Sequence, residues 1–452
     1  MRINLKTLGC RLNEAELETW ARQFRSEGHN IVNSVNEADL IVLNSCAVTQ
    51  DAVRKSKHLI RRTHRENPTA KLLVSGCYAS LHPDEVKASL GVDLVVGNQD
   101  KGRLVEIAKS SFDLPTMPEF ASEPGEAALF AMGRQRAFVK VQDGCRYRCT
   151  FCIVTVARGE ERSRATQDII SEINQLHQEG VQEAVLTGVH LGGWGSDLGL
   201  RLEDLLAAVL ANTDMPRLRM GSLEPWELSD GFFELLQNPR LMPHLHLPLQ
   251  NGSDTVLRRM ARRCKTAEFA QLVASARQAN PDINITTDII VGFPGETEAE
   301  WEESLDFIRQ VGFGHIHIFG YSARVGTKAA SLPEQIPPAI IKTRAQELQR
   351  LANQQKRETL QRFIGREFVV LWERASASNE DGTMTFPGYT PNYLKVATTA
   401  APGQDLCRTL ARARLTGIAE SEDFLLGELV QDKVMGQAIG VTEKLTGGSP
   451  RC

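Results

Sequence analysis

Three cysteines in one short loop are the residues of this chain best suited to do chemistry. Cys145, Cys149 and Cys152 stand in the run D-G-C-R-Y-R-C-T-F-C. Thiolates at this C-x-x-x-C-x-x-C spacing can hold three irons of a four-iron cluster, whereas ordinary electron-transfer clusters use four cysteines. The fourth iron is then open to a small molecule, so the spacing favours reaction chemistry over electron transfer alone.

The alternatives for this loop are a structural zinc site and three unrelated cysteines. Structural zinc sites are closed by four Cys or His ligands. Neither a histidine nor a fourth cysteine follows Cys152 nearby. The ligand count therefore disfavours zinc.

The loop resembles that of the radical S-adenosylmethionine (SAM) superfamily. The resemblance implies that SAM chelates the open iron of a 4Fe-4S cluster, and that one electron from the cluster cleaves SAM to a 5′-deoxyadenosyl radical. Phe151 matches an aromatic position that lies near the adenine of SAM in the superfamily. Ordinary core packing explains a phenylalanine there equally well.

Three further cysteines each follow a predicted strand near the start of the chain. They are Cys10 in T-L-G-C-R-L-N, Cys46 in N-S-C-A-V-T and Cys77 in S-G-C-Y-A. Loops after adjacent strands of an open α/β sheet converge at one edge, so these thiols could bind a second cluster with one open iron. By spacing alone, three buried core cysteines are the commoner explanation.

Together these motifs resemble the methylthiotransferase family, from residue 2 to about residue 436. The resemblance implies two 4Fe-4S clusters and SAM, and the replacement of a C–H bond by C–S–CH3 in the tRNA anticodon stem-loop. It also implies an electron donor and a sulfur donor, both of unknown identity. Cys10, Cys46 and Cys77 would hold the auxiliary cluster, and a sulfur held at its open iron would receive the methyl group of one SAM. The other triad would generate the radical from a second SAM.

T-L-G-C-R-L-N with C-A-V-T is most similar to the type that modifies carbon 2 of N6-threonylcarbamoyladenosine. The types acting on isopentenyl-adenosine and on a ribosomal-protein aspartate usually have G-C-Q-M-N and G-C-P-K-N, and both substrates stay open as alternatives. The chain departs from the family pattern at Ser45, at Thr155-Val156 and at Cys264. None of these changes removes a cluster ligand.

Alternating strands and helices predict an α/β protein with an open parallel sheet, a partial (β/α)6 barrel and a small C-terminal β-barrel that resembles the TRAM domain. The predicted domains are residues 1–112, a linker at 113–133, the barrel at 134–362, the β-barrel at 363–436 and a tail at 437–452. Strands of the first two domains are predicted at 40–43, 71–74, 93–97, 138–141, 183–188, 217–221, 244–247, 285–291 and 315–318.

Further site residues are assigned from strand ends and from the resemblance. The expected cofactor-binding residues are Phe151, Thr187, Gly188, Glu224, Gln250, Ser253, Asp288 and Gly292. The expected RNA-binding residues are Arg158, Tyr389, Tyr393 and Lys395, because aromatic and cationic side chains stack on bases and neutralise phosphates. A salt-bridged glutamate explains Glu224 equally well, and a small barrel core accounts for about half of the aromatic residues.

Composition excludes several classes of protein. Net charge is −4, which argues against a non-specific nucleic-acid coat but allows a local RNA site. No apolar run is long enough to span a membrane, and the first ten residues lack a signal peptide, so a cytoplasmic enzyme is expected. A non-enzymatic iron–sulfur sensor or RNA-binding module is the remaining alternative.

Overall fold

The structure is a computed structural model that describes residues 1–112, 114, 135–378, 381–420 and 424–430. The predicted linker, apart from one residue, and the whole predicted tail lie outside these residues. The chain divides into two compact units, Met1–Gln355 and Lys356–Cys452.

The first unit begins with a parallel five-stranded sheet. Its strands are β1 (Arg2–Thr7), β2 (Asn30–Ile31), β3 (Leu40–Ser45), β4 (Lys71–Gly76) and β5 (Leu94–Val96). Their order is β2-β1-β3-β4-β5. The connecting helices are α1 (Arg11–Ser26), α2 (Gln50–Glu66), α3 (Cys77–Leu81), α4 (Pro83–Lys87) and α5 (Leu104–Phe112).

Both faces of this sheet are covered, as its apolar strands require. Alternate residues of a strand point to opposite faces. Leu40 and Val42 of β3 accordingly pack in one core cluster, while Ile41 and Leu43 pack in another. The continuous apolar run that predicted this strand is therefore explained by burial on two sides.

A partial barrel follows in the same unit. Its main strands are β6 (Arg136–Lys140), β9 (Glu183–Thr187), β10 (Arg217–Met220), β11 (His244–His246), β12 (Asn284–Val291) and β13 (His315–Gly320). The short strands β7 (Gln142–Asp143) and β8 (Arg162–Ser163) form a separate antiparallel pair. The sheet β6-β9-β10 is joined to β11-β12-β13 by isolated parallel bridges, such as Ser222 with His246. The predicted six-stranded partial barrel is confirmed.

The helices of this region cover the outside of the strands. They are α6 (Val154–Arg158), α7 (Thr166–Gln178), α8 (Leu202–Asn212), α9 (Asp230–Leu235), α10 (Asp254–Arg259), α11 (Thr266–Ala279), α12 (Glu298–Val311) and α13 (Pro338–Gln361). Apolar side chains at helical spacing, such as Ile169, Ile173 and Leu176 of α7, bury against the strands.

The second unit is a closed five-stranded β-barrel. Its strands are β14 (Glu367–Trp372), β16 (Met384–Tyr389), β17 (Lys395–Ala400), β18 (Leu410–Ile418) and β19 (Leu425–Leu429). The short strand β15 (Ala377–Ser378) pairs with β16 outside the closed ring. The order β14-β18-β19-β17-β16 is closed by pairing of β14 with β16. Trp372, Phe386 and Val396 fill its core. The predicted TRAM-like β-barrel is confirmed, with β19 as a strand that the pattern did not reveal.

Among the described residues, no helix is both long enough and apolar enough to cross a membrane.

Candidate iron–sulfur active site

The loop that carries Cys145, Cys149 and Cys152 connects β7 to α6. Gly144, at the start of the loop, has φ +72°, and a Cβ atom there would lie 1.9 Å from the carbonyl oxygen of Glu160. Only glycine fits this position. The next peptide N–H, that of Cys145, donates to the carbonyl of Gly159 at 3.1 Å. The loop is thus closed on itself around its thiols.

The three thiols lie close enough to influence one another electrostatically. Burial raises the pKa of Cys145 to about 12 and that of Cys152 to about 11, and the neighbouring cysteines act in the same direction. Cys149 also has a raised pKa, mainly from burial, although the Arg262 guanidinium opposes the shift.

Arg262, which is buried, and Glu224, which is half-buried, form an ion pair beside this triad. An Nη atom of Arg262 lies 2.8 Å from Glu224 Oε2, and the other Nη lies 3.9 Å from Cys149 Sγ. Arg262 lies in the basic run R-R-M-A-R-R-C-K, yet its side chain is only 4% exposed. A cation at this position balances the negative charge that three thiolates bring into a buried site.

Cys10, Cys46 and Cys77 also come together in the structure. They follow β1, β3 and β4, which are adjacent in the first sheet. Gly9 has φ +111°, and a Cβ atom there would lie 2.8 Å from Cys46 Sγ. Burial raises the pKa of Cys46 to about 11, and both other cysteines contribute to the shift. The topological argument from the sequence therefore predicted their convergence correctly.

Buried charged residues surround this second triad. Arg158 lies 2.8 Å from Glu16 Oε1 and 3.0 Å from Asp143 Oδ1, and it donates to Asn13 Oδ1 at 2.8 Å. Lys101 pairs with Glu16 from the other side. The Arg158 pKa is raised by Glu16, Cys77, Asp143 and Cys10 against the effect of burial. Arg158 therefore lies next to the second triad.

The expectation that Arg158 contacts RNA is wrong. The side chain is 1% exposed, and its guanidinium is bound to buried acceptors. Its neighbour Thr155, one of the departures from the family pattern, donates from Oγ1 to the Tyr147 carbonyl at 2.9 Å. Both residues hold the cysteine loop.

Other expected cofactor-binding residues line the barrel or its upper edge. Thr187 ends β9, and Gly188 follows, packed so closely that a Cβ atom would lie 2.8 Å from Gln142 Oε1. Gln250 has φ +75°, and its N–H donates to the Asp288 carbonyl at 2.9 Å. Phe151 packs against a small cluster that contains Met260 and Phe293. Ligand contact by these residues stays a prediction.

Two of the expected cofactor-binding residues are enclosed by the protein. Ser253 is fully buried and presents no surface to a ribose. Gly292 has φ +75°, and its N–H donates to Glu296 Oε2 at 2.8 Å, while a Cβ atom there would lie 2.4 Å from Ile341. The turn and the packing against Ile341 explain its glycine character, and ligand contact by Ser253 and Gly292 stays a prediction.

Sequence reasoning missed a group of histidines in the barrel. His246 Nε2 lies 3.2 Å from Asp288 Oδ1, and the His246 and His317 rings are 5.6 Å apart. The alternating pairs H-L-H in β11 and H-I-H in β13 were the available signal, because alternation places both residues of a pair on one face. Burial lowers the His317 pKa, and His246 and the cation of Arg11, next to Cys10, act in the same direction.

In the second unit, the predicted RNA-binding residues form an aromatic pair beside a lysine. The rings of Tyr389 and Tyr393 stack with centroids 4.9 Å apart. Lys395 is exposed, with its Nζ 5.2 Å from the Phe424 ring centroid. RNA binding by these residues stays a prediction.

Both triads have the donor set that a [4Fe–4S] cluster needs. Each offers three converging thiols with a buried cation alongside, Arg262 in one case and Arg158 in the other. Across the described residues, the group with His, Cys or carboxylate ligand atoms all within 4.8 Å is His246, Asp288 and His317.

Known proteins match the chain over both cysteine sites. Residues 139–308 match the radical SAM superfamily and residues 2–97 match uncharacterized protein family UPF0004. A Bacillus subtilis protein named threonylcarbamoyladenosine tRNA methylthiotransferase MtaB is 36% identical over 86% of this chain and 88% of its own length. A Thermotoga maritima protein of the same name is 37% identical over 82% and 86%.

The chain belongs to the radical SAM methylthiotransferase family. It is a radical SAM methylthiotransferase, and it therefore uses SAM and a 4Fe-4S cluster. The family also contains a Cereibacter sphaeroides relative named tRNA-2-methylthio-N(6)-dimethylallyladenosine synthase, which is 36% identical over 82% of this chain and 87% of its own.

Solved structures agree on the fold of this methylthiotransferase. The radical SAM methyltransferase TsrM from Kitasatospora setae, with cobalamin and a [4Fe-4S] cluster bound, gives a TM-score of 0.56. The match covers 73% of this chain and 77% of that one at 15% identity. This similarity is one of fold alone.

Proposed function

We propose that this enzyme adds a methylthio group to carbon 2 of N6-threonylcarbamoyladenosine in the tRNA anticodon stem-loop. The observation that carries the proposal is the presence of both cysteine triads in the first unit, in a chain 36–37% identical to two relatives named for this substrate. A tRNA substrate would place the enzyme in the cytoplasm.

The proposal includes a second [4Fe–4S] cluster at Cys10, Cys46 and Cys77. When bound, the cluster at Cys145, Cys149 and Cys152 supplies the electron for SAM cleavage, and the second cluster supplies the sulfur site. An external electron donor and a sulfur donor complete the reaction.

The chain itself supplies position and charge for this chemistry. Glu224 and Arg262 form an ion pair beside the radical-forming triad, with charged atoms 2.8 Å apart. Arg158 binds Asp143 at the start of the radical loop and Glu16 on α1, so one buried side chain fixes the two sites relative to each other. A fixed distance matters because the radical and the sulfur must act on one carbon atom.

Dimethylallyladenosine in tRNA is the second candidate substrate. The Cereibacter sphaeroides relative named for that product has the same 36% identity as the Bacillus subtilis protein. The percentage of identical residues therefore does not distinguish between the two substrates. The T-L-G-C-R-L-N motif around Cys10 favours the threonylcarbamoyl substrate.

The deciding experiment offers two substrates to the anaerobically reconstituted protein. Anticodon stem-loops bearing threonylcarbamoyladenosine or dimethylallyladenosine are incubated with SAM, sulfide and a reductant, and the nucleosides are analysed by mass spectrometry. We expect the methylthio mass increase with the first substrate. An increase with the second substrate alone would refute the proposal.

A further inference from the structure

Arg324 is a buried arginine that has no carboxylate partner among the described residues. It lies in the segment after β13, is 9% exposed, and its Nε atom has no hydrogen-bond partner within the described part of the chain. Arg158, Arg262 and Arg344 are similarly buried, and each forms an ion pair at 2.8 Å. Burial lowers the Arg324 pKa, and Cys46 is the neighbour that opposes the shift.

The segment around Arg324 connects the two cysteine sites. At one end, Gln50 at the start of α2 donates from Nε2 to the Ala323 carbonyl at 3.0 Å and from its N–H to Ser322 Oγ at 3.4 Å. At the other end, the Ala329 N–H donates at 2.8 Å to the carbonyl of Thr150, between two radical-loop cysteines. The guanidinium therefore belongs to a segment anchored to both sites.

The backbone at Arg324 is also fixed locally. Thr327 donates to the Arg324 carbonyl from its N–H at 3.0 Å and from Oγ1 at 2.7 Å. A buried cation is costly unless an anion compensates it, and a pre-positioned guanidinium binds a carboxylate with two parallel hydrogen bonds. The arrangement calls for an anionic ligand at this place.

Both molecules that the proposed reaction brings between the triads carry a carboxylate. SAM carries the carboxylate of its methionyl part. In threonylcarbamoyladenosine, a urea group joins the threonyl part to carbon 6 of adenine. Carbon 6 is two ring bonds from carbon 2. The threonyl carboxylate must therefore lie near carbon 2, the atom that is thiolated.

We propose that Arg324 is a carboxylate receptor between the two cysteine triads. The carboxylate comes either from the threonyl group of the substrate or from SAM. The identity of these two ligands rests on the proposed function. Arg324 is a binding and specificity residue in this account, and it takes no part in the radical step.

The test compares wild type, Arg324→Gln and Arg324→Lys as full-length reconstituted enzymes. One arm measures KM for a stem-loop with threonylcarbamoyladenosine and for the same stem-loop with the threonyl methyl ester. The other arm measures the SAM dependence of S-adenosylhomocysteine release without RNA. Arg54→Gln, at an exposed pair with Asp51, is the matched control.

A substrate carboxylate predicts that Arg324→Gln raises KM for the acid by about tenfold or more and leaves the ester unchanged. If the bound carboxylate is that of SAM, Arg324→Gln should instead raise the SAM concentration needed for S-adenosylhomocysteine release by about tenfold or more. Arg324→Lys should recover part of either loss, because it retains the charge without the planar fork. Arg324→Gln values within twofold of wild type in both arms, at equal iron content, would overturn the proposal.

The two proposals fail in different ways. If wild type makes no methylthio product from threonylcarbamoyladenosine, the proposed substrate is wrong, and the SAM arm still tests Arg324. If Arg324→Gln does not fold, Arg324→Lys and the acid-to-ester ratio of wild type decide. Equal use of acid and ester by wild type, with an unchanged SAM arm for Arg324→Lys, would exclude both carboxylates.

Discussion

Arg158 and Glu16 are 142 residues apart in the sequence, yet they form a buried pair beside the second cysteine triad. Buried pairs of this kind add little to stability compared with apolar contacts, but loss of one partner leaves an uncompensated buried charge. The pair fixes the position of the radical loop, because Arg158 also binds Asp143 at the start of that loop. Single side chains thus link the first sheet to the barrel.

Replacing Arg158 with Gln should lower the free energy of unfolding by about 3 kcal/mol or more, because Glu16 and Asp143 lose their shared cation. Urea denaturation measures this change. Arg54→Gln, at a side chain 79% exposed, should cost under about 1 kcal/mol. Equal losses in the two variants would show that Arg158 has no special structural role.

Glu183 makes the stability of the fold depend on pH. It is fully buried against Arg219, with Oε1 2.8 Å from Nε, and the arginines around it lower its pKa to about 2. The resulting stabilisation, on the order of 3 kcal/mol, is present above the ordinary pKa near 4.5 and is lost as pH falls towards about 2. The stability gap between wild type and Glu183→Gln should therefore narrow between pH 5 and pH 3, as followed by thermal unfolding. A constant gap would contradict this prediction.

At the scale of elements, strand ends decide where the chemistry is. The sequence patterns predicted the main parallel strands to within a few residues, because apolar runs between turns are typical of strands buried on two sides. The convergence of Cys10, Cys46 and Cys77 followed from adjacency of their strands. Loop geometry was less accessible, since glycines with positive φ are visible only once the neighbouring backbone is placed.

Gly144 and Gly159 provide a matched test of the radical loop. Both have positive φ, but a Cβ atom on Gly144 meets the Glu160 carbonyl oxygen at 1.9 Å, whereas nothing lies within 4 Å of one on Gly159. Gly144→Ala should displace the cysteine loop and reduce reconstituted iron, measured per chain. Gly159→Ala should cost only backbone strain of about 1–3 kcal/mol, because φ +80° with ψ −158° strongly favours glycine, and it should retain its iron. If the two variants bind equal iron, the steric argument fails.

At the scale of the whole molecule, the first unit holds both thiol triads, and the second is a small β-barrel with a stacked tyrosine pair. The sequence motifs predicted both cysteine triads, and the strand pattern predicted the small β-barrel. They could not show the burial of Arg158, or that Arg324 has no carboxylate partner among the described residues. Each of those depends on contacts between segments far apart in sequence, which no local pattern encodes.

The central claim is that one chain carries two independent three-cysteine cluster sites. Anaerobic reconstitution followed by iron and sulfide counting tests it most directly, on wild type and on the triple variant Cys10→Ala, Cys46→Ala, Cys77→Ala. We expect about eight irons per wild-type chain and about four in the variant, which should still release 5′-deoxyadenosine from SAM but form no methylthio product. About four irons in both proteins, or full methylthiolation by the variant, would contradict the account.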